Sequence, residues 1–483
     1  MKRFTLIYIL FALMIPIQAQ TWLPAPAKGF ASWLPAAQWE DALLTGNGTI
    51  GAMAMGYPFD ETVIFNHALL YLPNEKPLVP PNMAIHLDSI RALFFAADYG
   101  AAAKRGLQIW KEAGYGEKKW TDGYVPAFDL NIQLPATNVS RYQRMVNYQT
   151  GEATVNWEDE NGIFERTLFS SRDSKQAVIR IKGSGKINGT FALNRHPFSW
   201  EQWTMMNDLF TELTIDATED GFLQYRTIYR KPHEGSPYGY EAAVRIIPSG
   251  GTMQVKGQAI EVANADEILL LVSINPLLKS AETLLDAMRQ ELLAVSGGYE
   301  VLLQKHCNIH SMLYNRMSLN LEVSEKEQAM TSETLVMNAR QQTSPGIIQR
   351  QFEAARYNIL SCTGVNPPNL QGIWSGTWTP PWSSDFTHDG NVAVAISNLL
   401  NGNMPELMDA FFSHHERLIS HYRVNAQQFY GARGIHVPSH TSNHGYNNHY
   451  DETWCMEYWN GGAGWTAGFF FDYYRYTGDV NFL

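Results

Sequence analysis

Between residues 20 and 280 the chain alternates apolar and polar positions in short runs. Ala153-Thr-Val-Asn-Trp157, Ala177-Val-Ile-Arg-Ile-Lys182, Thr190-Phe-Ala-Leu-Asn194 and Glu267-Ile-Leu-Leu-Leu-Val-Ser273 are of strand length, and Gly, Asn and Asp turn signals such as Lys186-Ile-Asn-Gly189 and Glu219-Asp-Gly221 fall between the runs. Many short strands of this kind predict a large antiparallel β-sandwich. One helical insertion is expected near His86 to Ala113, with Ile90, Leu93, Phe94 and Tyr99 on its inner face. The pattern then changes. Ala281–Leu293 and Tyr299–Met312 have helical spacing and good helix formers, and Met317–Glu322 reads as a short strand returning to the sandwich. From residue 346 on, Ile348–Leu360, Asn391–Leu400, Met404–Val424 and Gly461–Tyr476 are helix candidates, joined by long loops rich in Trp, His, Asn, Gly and Pro. Loops of that length inside a compact domain usually carry function. The expected organisation is multi-domain: a sandwich over 20–280, a helical linker over 281–345 and a helical domain over 346–483.

Composition narrows the function. The 483 residues are 45% hydrophobic and 17% charged, with a formal net charge of −11. So acidic a chain lacks the basic footprint that nucleic acid demands. Aromatic residues make up 12%, with 14 Trp; such rings fill cores, and they also stack on the C–H faces of sugars. Lys2 and Arg3 precede an apolar run, Phe4 to Ile17, that ends at Gln18-Ala19-Gln20. This is the layout of a secretory signal, too short to span a membrane. Cleavage near Ala19, periplasmic or secreted location and no stable membrane insertion thereafter are expected. Cys307, Cys362 and Cys455 are far apart and form no CxxC, so neither a zinc cluster nor a disulfide framework is indicated.

Two clusters could carry chemistry. In the first, Asn369 to Asn391, Trp374, Trp378 and Trp382 lead into Asp385, His388, Asp389 and Asn391. Pro380 and Pro381 forbid one continuous helix, so the Trp spacing is not a helical stripe. A rigid aromatic loop ending in carboxylate and amide groups suits sugar recognition; the alternative is Asp389 as a helix cap, with the Trp residues filling space. The second cluster, His436 to Trp465, holds His436, His440, Asn443, His444, Asn447, Asn448, His449, Asp451, Glu452, Glu457 and Asn460, with Trp454, Trp459 and Trp465. His440 and His444 are four apart, but Gly445 and the Asn-rich surroundings argue for a loop, and hydrogen bonding in a polar cleft is favoured over a metal. Gly461-Gly-Ala-Gly-Trp465 lacks the Lys-Ser/Thr of a phosphate loop. Cleavage of a glycosidic bond needs two groups flanking it, and the spacing of the two carboxyls separates retention from inversion.

These residues resemble a known family. Trp39-Glu-Asp-Ala-Leu-Leu-Thr-Gly-Asn-Gly-Thr-Ile-Gly-Ala-Met53, Asn66 to Leu70, His306 to Leu321, Phe352 to Leu360, Asn369-Leu-Gln-Gly-Ile-Trp374, Pro380-Pro-Trp-Ser-Ser-Asp-Phe386 and Gly461 through Tyr474-Arg-Tyr-Thr-Gly-Asp479 are similar to stretches of glycoside hydrolase family 95, the inverting α-L-fucosidases and related L-galactosidases. The resemblance covers most of the chain beyond its leader and implies a β-sandwich, a helical linker and an (α/α)6 barrel. It implies that Asp389 and Asn391 position the attacking water, that Trp374, Trp382, His388, His440, Asn443 and His444 shape the sugar site, and that no cofactor is required. Two departures matter. The family's Asn-x-Asn is here Asp389-Gly390-Asn391, so Asp389 is expected either to act as a base itself or to mark a different sugar. The chain also ends at Leu483, whereas the family's catalytic acid and base lie further along. Only the first part of the barrel is therefore expected, with apolar helix faces left uncovered. A related glycosidase or phosphorylase, and a carbohydrate-binding protein without catalysis, are the alternatives.

Overall fold

The computed structural model describes residues 23–115, 121–199, 202, 207–448 and 458–483. The leader expected at 1–19 lies outside them, as do His449, Asp451, Glu452, Trp454 and Glu457 of the second cluster.

The N-terminal half is an antiparallel sheet domain. Strands run in the order Gly29–Ser32, Arg141–Asn147, Glu152–Asp159, Gly162–Ser170, Ala177–Asn194, Ala259–Pro276, Gly239–Ser249, Phe222–Tyr229 and Phe210–Thr218, with further strands branching from this path. The branch point is Ala177–Asn194. Its first half pairs with Gly162–Ser170 and its second half with Phe128–Gln133. One long strand thus passes between two sets of neighbours, as strands do at the corners of packed sheets. Alternate side chains such as Phe65, Phe128, Leu130, Tyr225 and Leu270 are buried in a common core. Lys186-Ile-Asn-Gly189, expected as a turn, lies inside that strand, with register shifts between Lys182, Ile187 and Gly189. The local polar residues bend the strand rather than end it, because Ile187 and Gly189 stay paired with Ala265 and Val262 of the neighbouring strand.

The insertion is two helices, Leu87–Phe95 and Tyr99–Glu112, with the Asp98 carboxylate capping the second through the Ala101 amide. The break redirects the expected face: Ile90 is buried, but Phe94 and Tyr99 are 57% and 59% exposed. Leu285–Ala294 and Tyr299–Tyr314 follow as helices. Met317–Glu322 forms no strand; Glu322 takes a left-handed conformation, φ 54°, that breaks an extended run. The remainder is helical: Pro345–Cys362, Asn391–Ile396, Met408–Tyr430 and Gly462–Thr477. The last buries only Gly462 and Thr466, while Trp465, Phe471 and Tyr476 are exposed. Among the described residues no helix is long and apolar enough to cross a membrane.

Candidate active site

The loop from Asn369 to His388 is pinned onto the sheet domain residue by residue. The Asn66 side-chain amide donates to the Ser375 carbonyl (3.0 Å), and its oxygen accepts from the Ser375 amide (3.3 Å). The Tyr71 hydroxyl donates to the Ser384 carbonyl (3.3 Å) and accepts from the Asn369 side chain (3.0 Å). The Tyr124 hydroxyl donates to the Ile373 carbonyl (3.0 Å). Buried polar groups must be satisfied, so these partners fix the loop to strands more than 240 residues away in sequence.

The three tryptophans of this loop separate. Trp374 is 6% exposed, packs among Met53, Ile64, Cys362 and Ile373, and donates from its indole N–H to the Thr45 carbonyl (2.9 Å). That burial removes Trp374 from the sugar-facing set and makes it a tie between loop and sheet. Trp378 is likewise buried, its indole donating to the His196 carbonyl (3.0 Å). Trp382 is 54% exposed. It opens a run of three left-handed residues, Trp382 (φ 48°), Ser383 (φ 56°) and Ser384 (φ 48°). Three successive non-glycine residues in this region store backbone strain, a feature of functional sites. The run turns the Trp382 ring outward while Ser384 and Asp385 are buried.

Asp385 is fully buried and forms the hub of the site. Its carboxylate accepts from Thr121 Oγ1 (2.8 Å) and Thr387 Oγ1 (2.8 Å) and faces His440 Nδ1 at 3.1 and 3.2 Å. The same pair locks the short ladder of Phe386–Thr387 against His440–Thr441. His440 is therefore on a strand, not a helix shared with His444. The Thr441 hydroxyl lies between His388 Nε2 (2.8 Å) and His414 Nε2 (3.2 Å), and the His388 ring lies 4.9 Å from that of His415. Burial, followed by repulsion from neighbouring imidazoles, pushes His388 and His414 well below the usual imidazole range, so both are neutral hydrogen-bonding groups. Asp389 follows, half-buried, and Asn391, exposed, is the first residue of the helix Asn391–Ile396. Gly390 occupies the cap position and no side chain caps the helix, so Asp389 is not a helix cap.

Asn443 and His444 belong to a second polar group. Asp122 Oδ2 accepts from Asn443 Nδ2 (2.8 Å) and His233 Nε2 (2.9 Å). His444 Nδ1 accepts from the Tyr446 amide (3.2 Å), and its ring meets that of His233 edge-on at 6.0 Å. Burial holds His444 down at about 4. For His233 burial acts downward too, but the hydrogen bond and charge of Asp122 outweigh it and raise the imidazole above its ordinary value. Beside this group a cleft of about 390 Å³ opens between sheet-domain loops and the helix Met408–Tyr430, walled by Tyr71, Glu234, Phe386, Arg417, His421 and Asn443. Thr121, Asp122, His233 and Arg417 carried no motif in the sequence; they join the site through contacts across the two halves of the chain. The structure thus brings Trp382, His388, Asp389, Asn391 and His440 to one loop system and Asn443 and His444 to its neighbour, and it withdraws Trp374 to the core.

This architecture has known counterparts. The catalytic-domain profile of glycosyl hydrolase family 95 matches residues 298–483, and the N-terminal-domain profile of glycosyl hydrolase family 65 matches residues 31–276. The chain is 22% identical over 478 residues to alpha-L-fucosidase 2 of Arabidopsis thaliana, covering 93% of this chain and 56% of that protein. It is 23% identical over 438 residues to probable alpha-fucosidase A of Aspergillus oryzae, covering 83% and 57%. It therefore spans about half the length of the curated relatives it matches. Among solved structures, a putative kojibiose phosphorylase from human microbiome superposes with a TM-score of 0.51 at 9% identity, over 95% of this chain and 58% of that one, a likeness of fold. The chain thus joins a glycosyl hydrolase family 65 N-terminal domain to a region that matches the family-95 catalytic domain, the arrangement of a glycoside hydrolase of the family-95 type.

Proposed function

We propose that the chain is part of an exported exo-acting glycoside hydrolase of the α-L-fucosidase type, which releases a terminal sugar by a single attack of water with inversion. The observation that carries this reading is the family-95 catalytic match over 298–483, which includes the braced loop and the carboxylate–amide pair Asp389 and Asn391. The names of the relatives, two of them fucosidases, support the sugar class. In this reading residues 20–280 are the sandwich domain, 281–345 the linker and 346–483 the first part of an (α/α)6 barrel. Asp389 and Asn391 hold the water, Trp382 offers a face to the sugar, and His388, His440, Asn443 and His444 set the loops around it. An inverting displacement needs only an acid and a base placed to leave room for water, and no cofactor. The Phe4–Ile17 run supports export to the periplasm or medium.

The test is a release assay on the full-length protein, with α-L-fucosyl and α-L-galactosyl oligosaccharides, each with and without inorganic phosphate, following the released anomer by NMR. Free sugar of inverted configuration, independent of phosphate, is the expected result. A sugar phosphate in its place would make the protein a phosphorylase. Binding without any release would make it a carbohydrate-binding protein.

A further inference from the structure

Far from the loops just described, the sheet domain carries a two-lobed groove. One lobe, about 440 Å³, is lined by Gln133, Asn188, Thr190, Gln254, Glu261 and their neighbours. The other, about 300 Å³, is lined by Phe59, Trp157, Asp159, Asn161, Phe164 and Lys186. Both include Leu134, Pro135 and Asn188, so the two lobes adjoin. Volumes of this size suit small ligands.

The groove has the parts of a sugar-binding surface. Gln133 is directly opposite Thr190, Thr190 opposite Glu261, and Glu261 opposite Gln254. Residues opposite one another on paired strands share a face, so an amide, a hydroxyl, a carboxylate and an amide form one row across four strands. At about 4.8 Å per strand that row is about 14 Å wide. Glu261 is held in place by Gln254 Nε2 (2.9 Å) and Lys256 Nζ (2.6 Å). In the second lobe the partly exposed Phe59 is the aromatic surface open to a ligand; it is backed edge-on at 6.5 Å by the buried Trp157, which stacks on the buried Phe164 at 5.4 Å and is tied by its indole N–H to Asp159 (3.1 Å). Ring faces meet sugar C–H groups, and amides and carboxylates meet hydroxyls. Charge selects among sugars. The lining carries Asp159 and Glu261, the ammoniums beside it, Lys186 and Lys256, are already paired with Asp266 and Glu261, and the chain carries −11. A polyanion is disfavoured on each count.

We propose that this groove is an accessory binding site for a neutral oligosaccharide chain, separate from the reacting loops and able to hold a branched polysaccharide by its backbone. The inference takes its ligand class from the carbohydrate-active reading above, but none of its residues from the reacting loops.

The test is calorimetric titration of the full-length protein with β-1,4-linked hexaoses of glucose, xylose and mannose, with hexagalacturonate as the charged control. It is repeated on Gln133→Ala/Gln254→Ala, and on Phe59→Ala as a second variant from the other lobe, each checked by its melting curve. Turnover of an aryl α-L-fucoside is measured in parallel. Saturable binding of at least one neutral hexaose is expected, weakened about tenfold in the double variant by the loss of two hydrogen bonds, with aryl-fucoside turnover unchanged. Absence of neutral binding, equal binding by a folded double variant, or equally tight binding of the galacturonate overturns the groove. Absence of aryl-fucoside turnover alongside neutral binding that the variants weaken overturns the hydrolase reading and leaves the groove standing.

Discussion

Asp389 poses the sharpest question at the residue scale. It is half-buried, two residues before the exposed Asn391, on a turn fixed by the fully buried Asp385–His440 pair. A carboxylate at a position where an amide would only orient water can also take its proton. General-base assistance contributes roughly 10²–10⁴-fold. Asp389→Asn is therefore expected to lower kcat by about that range in the release assay while leaving the melting temperature unchanged, since nothing caps or pairs through this side chain in the helix that follows. Unchanged turnover would assign Asp389 to water positioning alone. Asp385 is the contrasting case: it holds the loop from a site closed to solvent, and so acts through His440 and Thr387 rather than on a substrate.

At the scale of the element, one loop gives two tryptophans opposite roles. Trp374 is driven into the sheet domain by apolar burial and one indole hydrogen bond to the Thr45 carbonyl. Trp382 is driven out by three consecutive left-handed residues that follow Pro380 and Pro381. Trp374→Ala is expected to cost about 3–5 kcal/mol of stability, the usual range for a large aromatic deleted from a core, read as a lowered denaturant midpoint. Trp382→Ala is expected to stay within about 0.5 kcal/mol of the parent, as exposed substitutions do, while raising KM for the oligosaccharide. Equal effects of the two on stability would contradict this division. Trp374, Trp378 and Trp382 lie four apart, and Pro380 and Pro381 showed that the loop was not a helix, but not which ring it would expose. That depended on backbone conformations that only the finished loop imposes.

Across the whole molecule, buried neutral histidines set the response to pH. Burial lowers His67, His306 and His415 to about 3, and His436 and His444 to about 4. In the unfolded chain these groups take up protons near 6.5. Between about pH 6.5 and 4 the unfolded state thus binds more protons than the native state, so stability falls as pH falls. His233 acts in the opposite sense: its folded value is raised, so its contribution is fully present below about 6.5 and lost as pH rises through the higher folded value. One such group against these five, with His388 and His414 also held down, leaves the acid side destabilised. The melting temperature is expected to decline steadily from pH 7 to 4; a flat profile would mean that these imidazoles are not held neutral.

Local sequence determined what depends on neighbours along the chain. Alternation and turn residues specified the strand runs 153–157, 177–182, 190–194 and 267–273, helical spacing specified Tyr299–Tyr314, Pro345–Cys362 and Gly462–Thr477 within a few residues and the body of Met408–Tyr430, and short motifs carried the family resemblance. The same information pointed to the Asn369–Asn391 loop, because prolines, tryptophans and carboxylates cluster there without a helical period. It failed where a distant partner decided the outcome. Lys186–Gly189 continues a strand because it stays paired with Ala259–Pro276, Met317–Glu322 forms none, and Asp98 splits a helical pattern by capping. Asp122, Thr121 and His233 became part of the site only when the chain folded back over hundreds of residues. A carboxylate, a hydroxyl and an imidazole on surface-like stretches carry no local signal; burial beside Asn443 and Asp385 gives them their role, and only the tertiary structure creates that burial.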